Sequence, residues 1–276
     1  MPAAALGLAL AAACVHALWN LLLARAREPE AATAVALIVS IVAFAPVAAV
    51  LWDAESSVWP YLVASSALQL VYFVLLAGAY RRVPLSVVYP LARGFAPVLV
   101  LVVGVAALGK ATSWGQTTGV CMVGAGVVLV RGFGRSPDSA GAAFGLGIAC
   151  VIAAYTLVDK RGIEHAGPVT YLELTMVAPA LAYAAGIARL RGTAELRAAL
   201  GPATVVAGLA TFTAYALVLA ALQRASAASV AAVRETSVVL TAALAGIVLR
   251  ERVGPARLAG AALVAGGVAL LSLAWY

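Results

Sequence analysis

The chain alternates between long apolar runs and short polar connections. Ten runs can be marked from this pattern, and each has the roughly 20 residues that an α-helix needs to cross a bilayer. They cover residues 3–24, 31–52, 59–80, 84–108, 113–131, 141–158, 168–188, 202–222, 226–249 and 255–275. The pattern therefore predicts an all-α integral membrane protein with ten transmembrane helices.

The ten runs divide into two similar halves. The turn-rich connection GFGRSPDSA at 132–140 lies between them, and we predict repeats at residues 1–135 and 136–276. At an offset of 141 residues, Arg93 corresponds to Arg234. Because each repeat has an odd number of spans, the second must enter the membrane in the opposite direction. The sequence thus predicts two inverted five-helix repeats, related by a pseudo-two-fold axis in the membrane plane. Further matches are Gly119 with Gly260, Gly126 with Gly267, Gln69 and Phe73 with Thr211 and Tyr215, and His16 and Asn20 with Tyr155 and Asp159.

Composition agrees with a membrane protein, because 64% of the 276 residues are hydrophobic and 11% are charged. The excess of Lys and Arg does not indicate nucleic acid as a partner, since most of it lies in short connections where it sets membrane orientation. Twelve of these cations lie on one side of the predicted bundle. The other side has four, which are Lys110, Lys160, Arg161 and Arg224. The positive-inside rule then places the first side in the cytoplasm and both termini outside.

Three cysteines, Cys14, Cys121 and Cys150, lie inside apolar runs and form neither a disulfide framework nor a metal-binding spacing. We interpret them as small core residues. The first run is expected to be retained as a span, because it is too long for the apolar region of a signal peptide. The sequence contains no metal, nucleotide or hydrolase motif, so no cofactor is predicted.

Two arginines lie deep inside apolar runs. Arg93 is about nine residues and Arg234 about eight residues into its span, or roughly 12–14 Å at 1.5 Å per residue. An arginine at that depth needs a partner or a water-filled cavity. Two interpretations follow. The guanidinium groups bind a carboxylate or phosphate of a substrate, or each pairs permanently with a buried acid or caps the carbonyls of a broken helix. Pro90 and Pro97 flank Arg93 and predict a kinked helix.

Polar and aromatic side chains on neighbouring spans are candidates for a substrate path. His16 and Asn20 share a helix face beside Trp19, and similar patches occur in the third and eighth spans. Interhelical hydrogen bonds that hold the bundle together are the alternative role for these side chains. The candidate substrate-binding residues are Arg93, Arg234, Tyr89, His16, Trp19, Asn20, Gln69, Tyr72, Thr211, Tyr215 and Ser237.

Glu235 and Glu173 are the candidates for proton coupling, because a carboxyl group in a low-dielectric site takes up a proton readily. Glu235 directly follows Arg234 and should point about 100° away from it on a helix, so it is expected to be a poor partner for that neighbour. It could face Arg93 instead. Glu173 is expected near the headgroups, about five residues into its span. A charge-neutralising salt bridge is the alternative role of both acids.

The sequence resembles the drug/metabolite transporter superfamily in its EamA-type branch. The resemblance rests on the ten spans in two repeats and on three segments: ALWN at Ala17–Asn20, YTLVDKRG at Tyr155–Gly162, and LRERVGPARLAGAALVAGGVALL at Leu249–Leu271. It implies a secondary transporter, often an exporter of amino acids, metabolites or drugs, with a central cavity between the repeats. Members usually have cytoplasmic termini, which is the reverse of what the charge count indicates.

We therefore expect a multi-pass secondary active transporter in the cell (inner) membrane that exports small metabolites, such as amino acids or organic anions, by alternating access. Its expected partners are a small-molecule substrate, the lipid bilayer and protons; the sequence does not specify an oligomeric state. The alternatives are a membrane-embedded lipid-processing enzyme and a non-transporting scaffold. An enzyme should show clustered acids, histidines or a metal motif, and a scaffold does not need symmetric midplane arginines.

Overall fold

A computed structural model describes residues 1–24, 26–82, 85–107, 109–131, 139–240, 243 and 254–273, with the backbone alone at 21, 24, 80, 81, 85–87, 89, 90 and 131. These residues form helices and short connections, and none of them lies in a strand. The helices are α1 (Ala3–Ala24), α2 (Pro29–Val50), the 3₁₀ turn η1 (Ser56–Val58), α3 (Trp59–Arg82), α4 (Leu85–Ala106), α5 (Trp114–Arg131), α6 (Ser139–Gly162), α7 (Pro168–Arg191), α8 (Thr193–Ala199), α9 (Pro202–Leu222), α10 (Ala227–Arg234), α11 (residues 236–240 in its described part) and α12 (Pro255–Leu273).

Local sequence explains several helix boundaries. Prolines occupy the first turn of α2, α7 and α9, where the missing N–H would have no partner within the helix. α7 ends at Gly192, whose φ of 86° is a left-handed conformation that glycine adopts without steric cost. The hydroxyl of Ser226 caps α10 by accepting a hydrogen bond from the backbone N–H of Ser229 at 3.3 Å.

Seven helices in the described part of the chain are long and apolar enough to cross a membrane. α4 and α5 contribute shorter apolar stretches, at Leu91–Ala106 and Trp114–Val130. The ten-helix count is therefore not confirmed. Large apolar side chains such as Val42, Val63 and Leu258 are well exposed on the outside of the bundle. Water would disfavour such a surface, whereas lipid chains accommodate it.

The ninth predicted run is not one continuous helix. α10 ends at Arg234, Glu235 forms a turn, and helical structure resumes at residue 236. α4, the corresponding helix of the first repeat, is helical from Leu85 to Ala106 across both prolines. The interruption therefore falls in the span without prolines, directly beside the second buried arginine.

The interpretation of the cysteines as core residues is wrong, because Cys14, Cys121 and Cys150 are all exposed on the bundle surface. The lipid-facing side of a membrane helix is as apolar as the protein core. Hydrophobicity therefore predicts that such a residue lies in a span, without predicting the direction in which its side chain points.

The helices pack in pairs that match across the two repeats, taking α1, α2, α3, α4 and α5 as the counterparts of α6, α7, α9, α10 and α12. α1 packs on α9, and their counterparts α6 and α3 also pack on each other. The same holds for α2 on α9 with α7 on α3, and for α4 on α6 with α10 on α1. Three counterpart pairs, α2 with α7, α4 with α10 and α5 with α12, pack directly on each other. The bundle thus has an approximate two-fold relation between its halves.

α5 and α12 approach so closely that only glycine fits at the contact. A Cβ on Gly126 would lie 2.6 Å from the carbonyl oxygen of Gly260, and a Cβ on Gly267 would lie 2.7 Å from that of Gly119. Residue numbers rise along α5 as they fall along α12, so the two helices are antiparallel. The repeat offset converts one glycine pair into the other. This is the close approach that small residues permit between membrane helices.

Successive long helices run in opposite directions, so their connections fall on two faces. Among the described residues, face A holds the connections at 51–58, 109–113, 163–167 and 223–226, and face B holds those at 26–28 and 192–201. In the described residues of face B, Arg191 forms an ion pair with Glu30 at 3.1 Å, which joins α7 to α2. Contacts between connections of the same face support this division.

A loop junction, formed by residues 53–57 and 165–167, joins the two repeats on face A. The N–H of Gly167 donates to the Asp53 carboxylate at 2.9 Å, and the N–H of Glu55 donates to the carbonyl oxygen of His165 at 3.0 Å. Hydrogen bonds with the His165 ring and the Ser57 hydroxyl hold the pKa of Glu55 below its usual value. These contacts link the connection between α2 and α3 to the connection between α6 and α7 on face A.

Candidate functional site

A buried cluster of charges occupies the middle of the bundle. Oε1 of Glu235 lies 3.2 Å from Nη1 of Arg93 and 3.5 Å from Nη2 of Arg234. Arg93 is 7% exposed, Arg234 4% and Glu235 0%. One carboxylate therefore bridges two guanidinium groups, one from each repeat. We call Arg93, Arg234 and Glu235 the central triad.

α1 extends the central triad on the side of the first repeat. Nε2 of His16 is in hydrogen-bonding contact with Nη2 of Arg93, so the contact requires Nε2 to accept. Nδ1 of the same ring lies 3.1 Å from the indole nitrogen of Trp19. A neutral imidazole has one acceptor nitrogen, so the ring accepts a hydrogen bond from Arg93 or from Trp19 but not from both at once. Asn20 donates to the backbone carbonyl of His16 at 3.0 Å. Three predicted site residues thus lie on one turn of α1, and one of them, His16, contacts Arg93.

The second repeat provides an equivalent contact. Tyr155 on α6 interacts electrostatically with Arg234 and Arg93. By the repeat offsets, Tyr155 is the counterpart of His16 and Arg234 is the counterpart of Arg93. Each repeat therefore places a side chain from its first helix beside the arginine from its fourth. The Tyr155 ring also contacts the rings of Tyr72 and Tyr215, at centroid distances of 6.2 and 6.1 Å.

Asp159 forms a second buried centre, one turn beyond Tyr155 on α6. The side chain is 0% exposed. Its Oδ1 accepts from the hydroxyls of Ser65 at 2.5 Å and Tyr171 at 2.9 Å, and its Oδ2 accepts from the hydroxyl of Tyr215. Three hydroxyl donors from α3, α7 and α9 thus surround one carboxylate. They replace the hydrogen bonds with water that a buried carboxylate loses.

Sequence analysis did not place Asp159 in the candidate site, and it also missed the donors Ser65 and Tyr171. The available signal was the repeat match of Asp159 with Asn20, together with Tyr155 one helical turn earlier on the same face. The donors carry no such signal, because serine and tyrosine occur throughout the apolar runs.

Glu235 contacts both arginines, although a regular helix would direct it away from Arg234. The regular helix ends at Arg234, so the separation of about 100° between consecutive residues need not apply. The expectation that Glu235 is a poor partner for Arg234 is therefore wrong, whereas its contact with Arg93 agrees with the sequence analysis. In this conformation Arg93 pairs with a buried acid, which is the structural alternative considered above.

The other predicted substrate-binding residues differ in their burial and in their contacts. Gln69 and Ser237 are buried, and Tyr72 packs on Tyr155. The hydroxyl of Thr211 donates to the carbonyl of Ala207 in its own helix at 2.7 Å, so the structure gives it a local partner. The side chain of Tyr89 lies outside the described residues.

Glu173 lies on α7, five residues after its first residue, and its side chain is buried. Its Oε2 has no hydrogen-bond partner within the described residues. No ion pair joins it to the central triad in that part of the chain. The structure therefore does not bring the two predicted proton-coupling acids together.

The central triad retains unused hydrogen-bonding capacity. Nε and Nη2 of Arg234 and Oε2 of Glu235 are buried and have no hydrogen-bond partner among the described residues. Buried polar atoms without partners are rare in folded proteins and call for a partner such as a ligand. The free donors belong to a cation, so the matching ligand group is an anion such as a carboxylate.

Histidine, cysteine and acidic side chains do not form a group of three or more that could hold a metal ion within the described residues. The buried chemistry of the site consists of guanidinium, carboxylate, imidazole and hydroxyl groups. Such a set can bind a charged solute and hold or transfer a proton.

Comparisons with known proteins agree with this architecture. The sequence model of the EamA-like transporter family matches residues 3–132 and 139–273. One solved crystal structure of a protein superposes on this chain with a TM-score of 0.79 and 17% sequence identity, covering 99% of each chain. At that identity the similarity shows a shared fold. A comparison with curated proteins finds no match.

Proposed function

Because the chain belongs to the EamA-like transporter family, we propose that this helical multi-pass membrane protein is a secondary active transporter and not an enzyme. Its substrates are small metabolites that carry a carboxylate, such as amino acids or organic anions. Transport proceeds by alternating access across the cell (inner) membrane. The family resemblance favours export as the direction.

The observation that carries this proposal is the position of Glu235 between Arg93 and Arg234. Two guanidinium groups facing one carboxylate give the central triad itself a net positive charge. The other buried acid that interacts with Arg234 is Asp159, whose carboxylate accepts from three hydroxyl groups. A substrate carboxylate would balance the charge of the central triad and accept from the donors of Arg234 that have no hydrogen-bond partner among the described residues.

The same arrangement supports coupling to protons. A substrate anion beside the two arginines would put a second negative charge next to Glu235. Protonation of Glu235 relieves that repulsion, so binding of the anion and uptake of a proton favour each other. Glu173, buried elsewhere with an unpaired oxygen, is a second proposed proton site.

Alternating access fits the relation between the repeats. The antiparallel packing of the counterpart helices α5 and α12 supports two inverted repeats, and so do the matched helix pairs. In such a transporter the two repeats exchange conformations, which opens the central site to one face and then to the other. We propose that the chain bends at Glu235, between α10 and α11, when the central site changes the face to which it is open.

Transport by purified protein in liposomes tests the proposal. Candidate carboxylates, beginning with amino acids and dicarboxylates, are screened with the wild-type protein, and the substrate found is then used with Arg93→Ala and Arg234→Ala. Each variant removes a charge-assisted contact of about 1.5–3 kcal/mol, so the apparent affinity should fall roughly tenfold to a hundredfold. Wild-type transport by both variants would exclude the arginines as the substrate site.

Arg197→Ala is the matched control, because Arg197 is an exposed arginine on the short helix α8. It should transport at the wild-type rate. The lysine variants Arg93→Lys and Arg234→Lys keep the charge without the bidentate geometry and should fall between wild type and alanine.

Coupling is tested by imposing a pH gradient across the same liposomes. The wild-type rate should respond to the gradient, whereas Glu235→Gln should transport at a rate independent of it. A wild-type rate that ignores the gradient would exclude proton coupling while leaving the arginine site intact.

A further inference from the structure

A cavity of about 360 Å³ opens on face A, between the ends of α4, α6 and α9 and the starts of α5 and α10. It is separate from the central triad. Its lining includes all four cations that the sequence assigns to this face, which are Lys110, Lys160, Arg161 and Arg224. We call this cavity the basic vestibule. Chain segments far apart in sequence thus bring together every basic residue of the less basic face.

The basic vestibule has no acidic residue in its lining, as far as the described residues define it. Arg161 pairs with Glu164 at 3.5 Å, but both side chains are about half exposed and the pair is weakened by solvent. Lys160 is repelled by Lys110 and Arg161 as well as attracted by Glu164. Like charges held together in this way favour an anion between them.

The hydrogen bonds of the basic cations leave their charge unneutralised. Lys160 donates to the carbonyl oxygen of Leu222, and Arg224 donates to that of Ala220 at 2.7 Å. A backbone carbonyl satisfies a donor but carries no net charge. Within the described part of the chain, neither Lys110 nor Arg224 forms an ion pair.

Uncharged donors lie beside the cations. Nε2 of Gln116 donates to the hydroxyl of Ser226 at 2.6 Å, and Ser226 also caps α10. The first turn of α10 lines the cavity through Ala227 and Ala228, so the positive end of that helix adds to the field of the cations. Phosphate and carboxylate oxygens accept from such a set of groups.

An apolar layer separates the basic vestibule from the central triad. Val100 on α4 and Val230 on α10 are buried between them. Val100 follows Arg93 by seven residues, or about 10 Å along the helix. A solute in the vestibule therefore does not touch the central triad, although it lies along the same pair of helices, α4 and α10.

We propose that the basic vestibule is a second anion-binding site, which takes a phosphate- or carboxylate-bearing molecule on face A. A solute held there is a substrate in transit to or from the central triad. An anionic lipid headgroup at the same face offers the same chemistry, so the two sources are separated by experiment.

The probe is radiolabelled inorganic phosphate, with purified full-length protein in nanodiscs of neutral phosphatidylcholine. Wild-type protein should bind it saturably, and the affinity should fall as salt is added because the site is charged and open to solvent. The double variant Lys110→Gln/Arg224→Gln should bind at least tenfold more weakly. Lys110→Arg/Arg224→Lys keeps both charges and should stay within about threefold of wild type.

Arg197→Gln on face B is the matched control for a change in overall charge, and it should bind like wild type. Nanodiscs that contain anionic phosphatidylglycerol identify the source of the anion. Suppressed phosphate binding means that lipid headgroups occupy the site, and unchanged binding means that a soluble anion does.

Two results would overturn the proposal that the basic vestibule binds an anion. One is the absence of saturable phosphate binding in neutral nanodiscs, without retention of anionic lipid by the purified protein. The other is binding that Lys110→Gln/Arg224→Gln leaves unchanged while Arg93→Ala removes it. The second result assigns the anion to the central triad, so it rejects the vestibule and leaves the proposed transport function standing.

Discussion

At the scale of single residues, Glu235 has the greatest influence on the centre of the protein. It is fully buried and contacts two buried arginines, one from each repeat. Removing one partner from a buried ion pair leaves an uncompensated charge, which is far less stable than the intact pair. The stability of the folded protein should therefore depend strongly on this carboxylate.

Glu235→Gln should lower the free energy of unfolding by about 3–5 kcal/mol, because it leaves two buried guanidinium groups to repel each other. Glu164→Gln is the matched control. It removes a similar carboxylate from an exposed pair with Arg161 at 3.5 Å, and it should change stability by less than about 1 kcal/mol. Chemical unfolding in detergent measures both.

The double variant Arg93→Met/Glu235→Gln completes the comparison. Its loss of stability should be smaller than the sum of the two single losses by about 0.5–3 kcal/mol, because the two groups interact directly. Additive losses would contradict the ion pair.

Both arginines could be found from the sequence because a charge within an apolar run is a local feature. Their partner could not be predicted in the same way. Glu235 contacts Arg93 from another repeat, 142 residues away, and it contacts Arg234 only because the helix ends there. Asp159 was missed for the same reason, since its donors come from three other helices.

At the scale of helices, the contact between α5 and α12 depends on the absence of side chains. Gly126 and Gly260 approach backbone to backbone, and so do their repeat counterparts Gly267 and Gly119. Helices that approach this closely gain van der Waals contact along their length, which is a main source of helix association in lipid. Larger residues at these positions would force the helices apart.

Gly126→Ala should destabilise the protein by about 1–3 kcal/mol, because its Cβ would lie 2.6 Å from the carbonyl oxygen of Gly260. Gly186→Ala is the matched control on α7, where an added Cβ meets no atom within 4 Å. It should be neutral or stabilising by up to about 1 kcal/mol, since alanine favours a helix. Equal losses from both substitutions in thermal unfolding would contradict the close contact.

The helices themselves follow from the apolar runs, and the short helix α8 forms in the longest connection, where the charge-rich sequence allows it. The break at Glu235 does not follow from local sequence. No proline or glycine occurs from Ser226 to Glu235, so this stretch has no helix-breaking residue to explain an end at Arg234. Two buried charged residues, Arg234 and Glu235, lie at this end of α10, and they are the feature of the sequence that accompanies the break.

At the scale of the whole molecule, the two repeats meet at the loop junction on face A. Gly167 and Asp53 contact each other there, as do His165 and Glu55. If access alternates between the faces, this junction must open during each cycle. A covalent bond across it should therefore stop transport in one state.

The test uses Asp53→Cys/Gly167→Cys in a protein whose three native cysteines have been replaced by serine. A Cβ on Gly167 would lie 3.2 Å from Cγ of Asp53, so a disulfide can bridge the two positions. Oxidised protein should transport at least tenfold more slowly, and a reducing agent should restore the rate.

The single variants Asp53→Cys and Gly167→Cys are the controls, and oxidation should not affect either of them. Full transport by the cross-linked protein would show that the loop junction stays closed throughout the cycle. Mass spectrometry confirms that the disulfide has formed.

The sequence by itself determined that the chain is a helical membrane protein, that its apolar runs repeat, and that Arg93 and Arg234 correspond in the two repeats. Run length and repeat offset are properties of the linear chain, so they can be read without coordinates.

Only the tertiary structure decided which acid meets the arginines, which face of each helix meets lipid, and that four scattered cations line one cavity. The physical reason is that lipid and protein core are equally apolar. Hydrophobicity therefore places a residue within the membrane but does not choose its neighbours, which depend on the packing of distant helices.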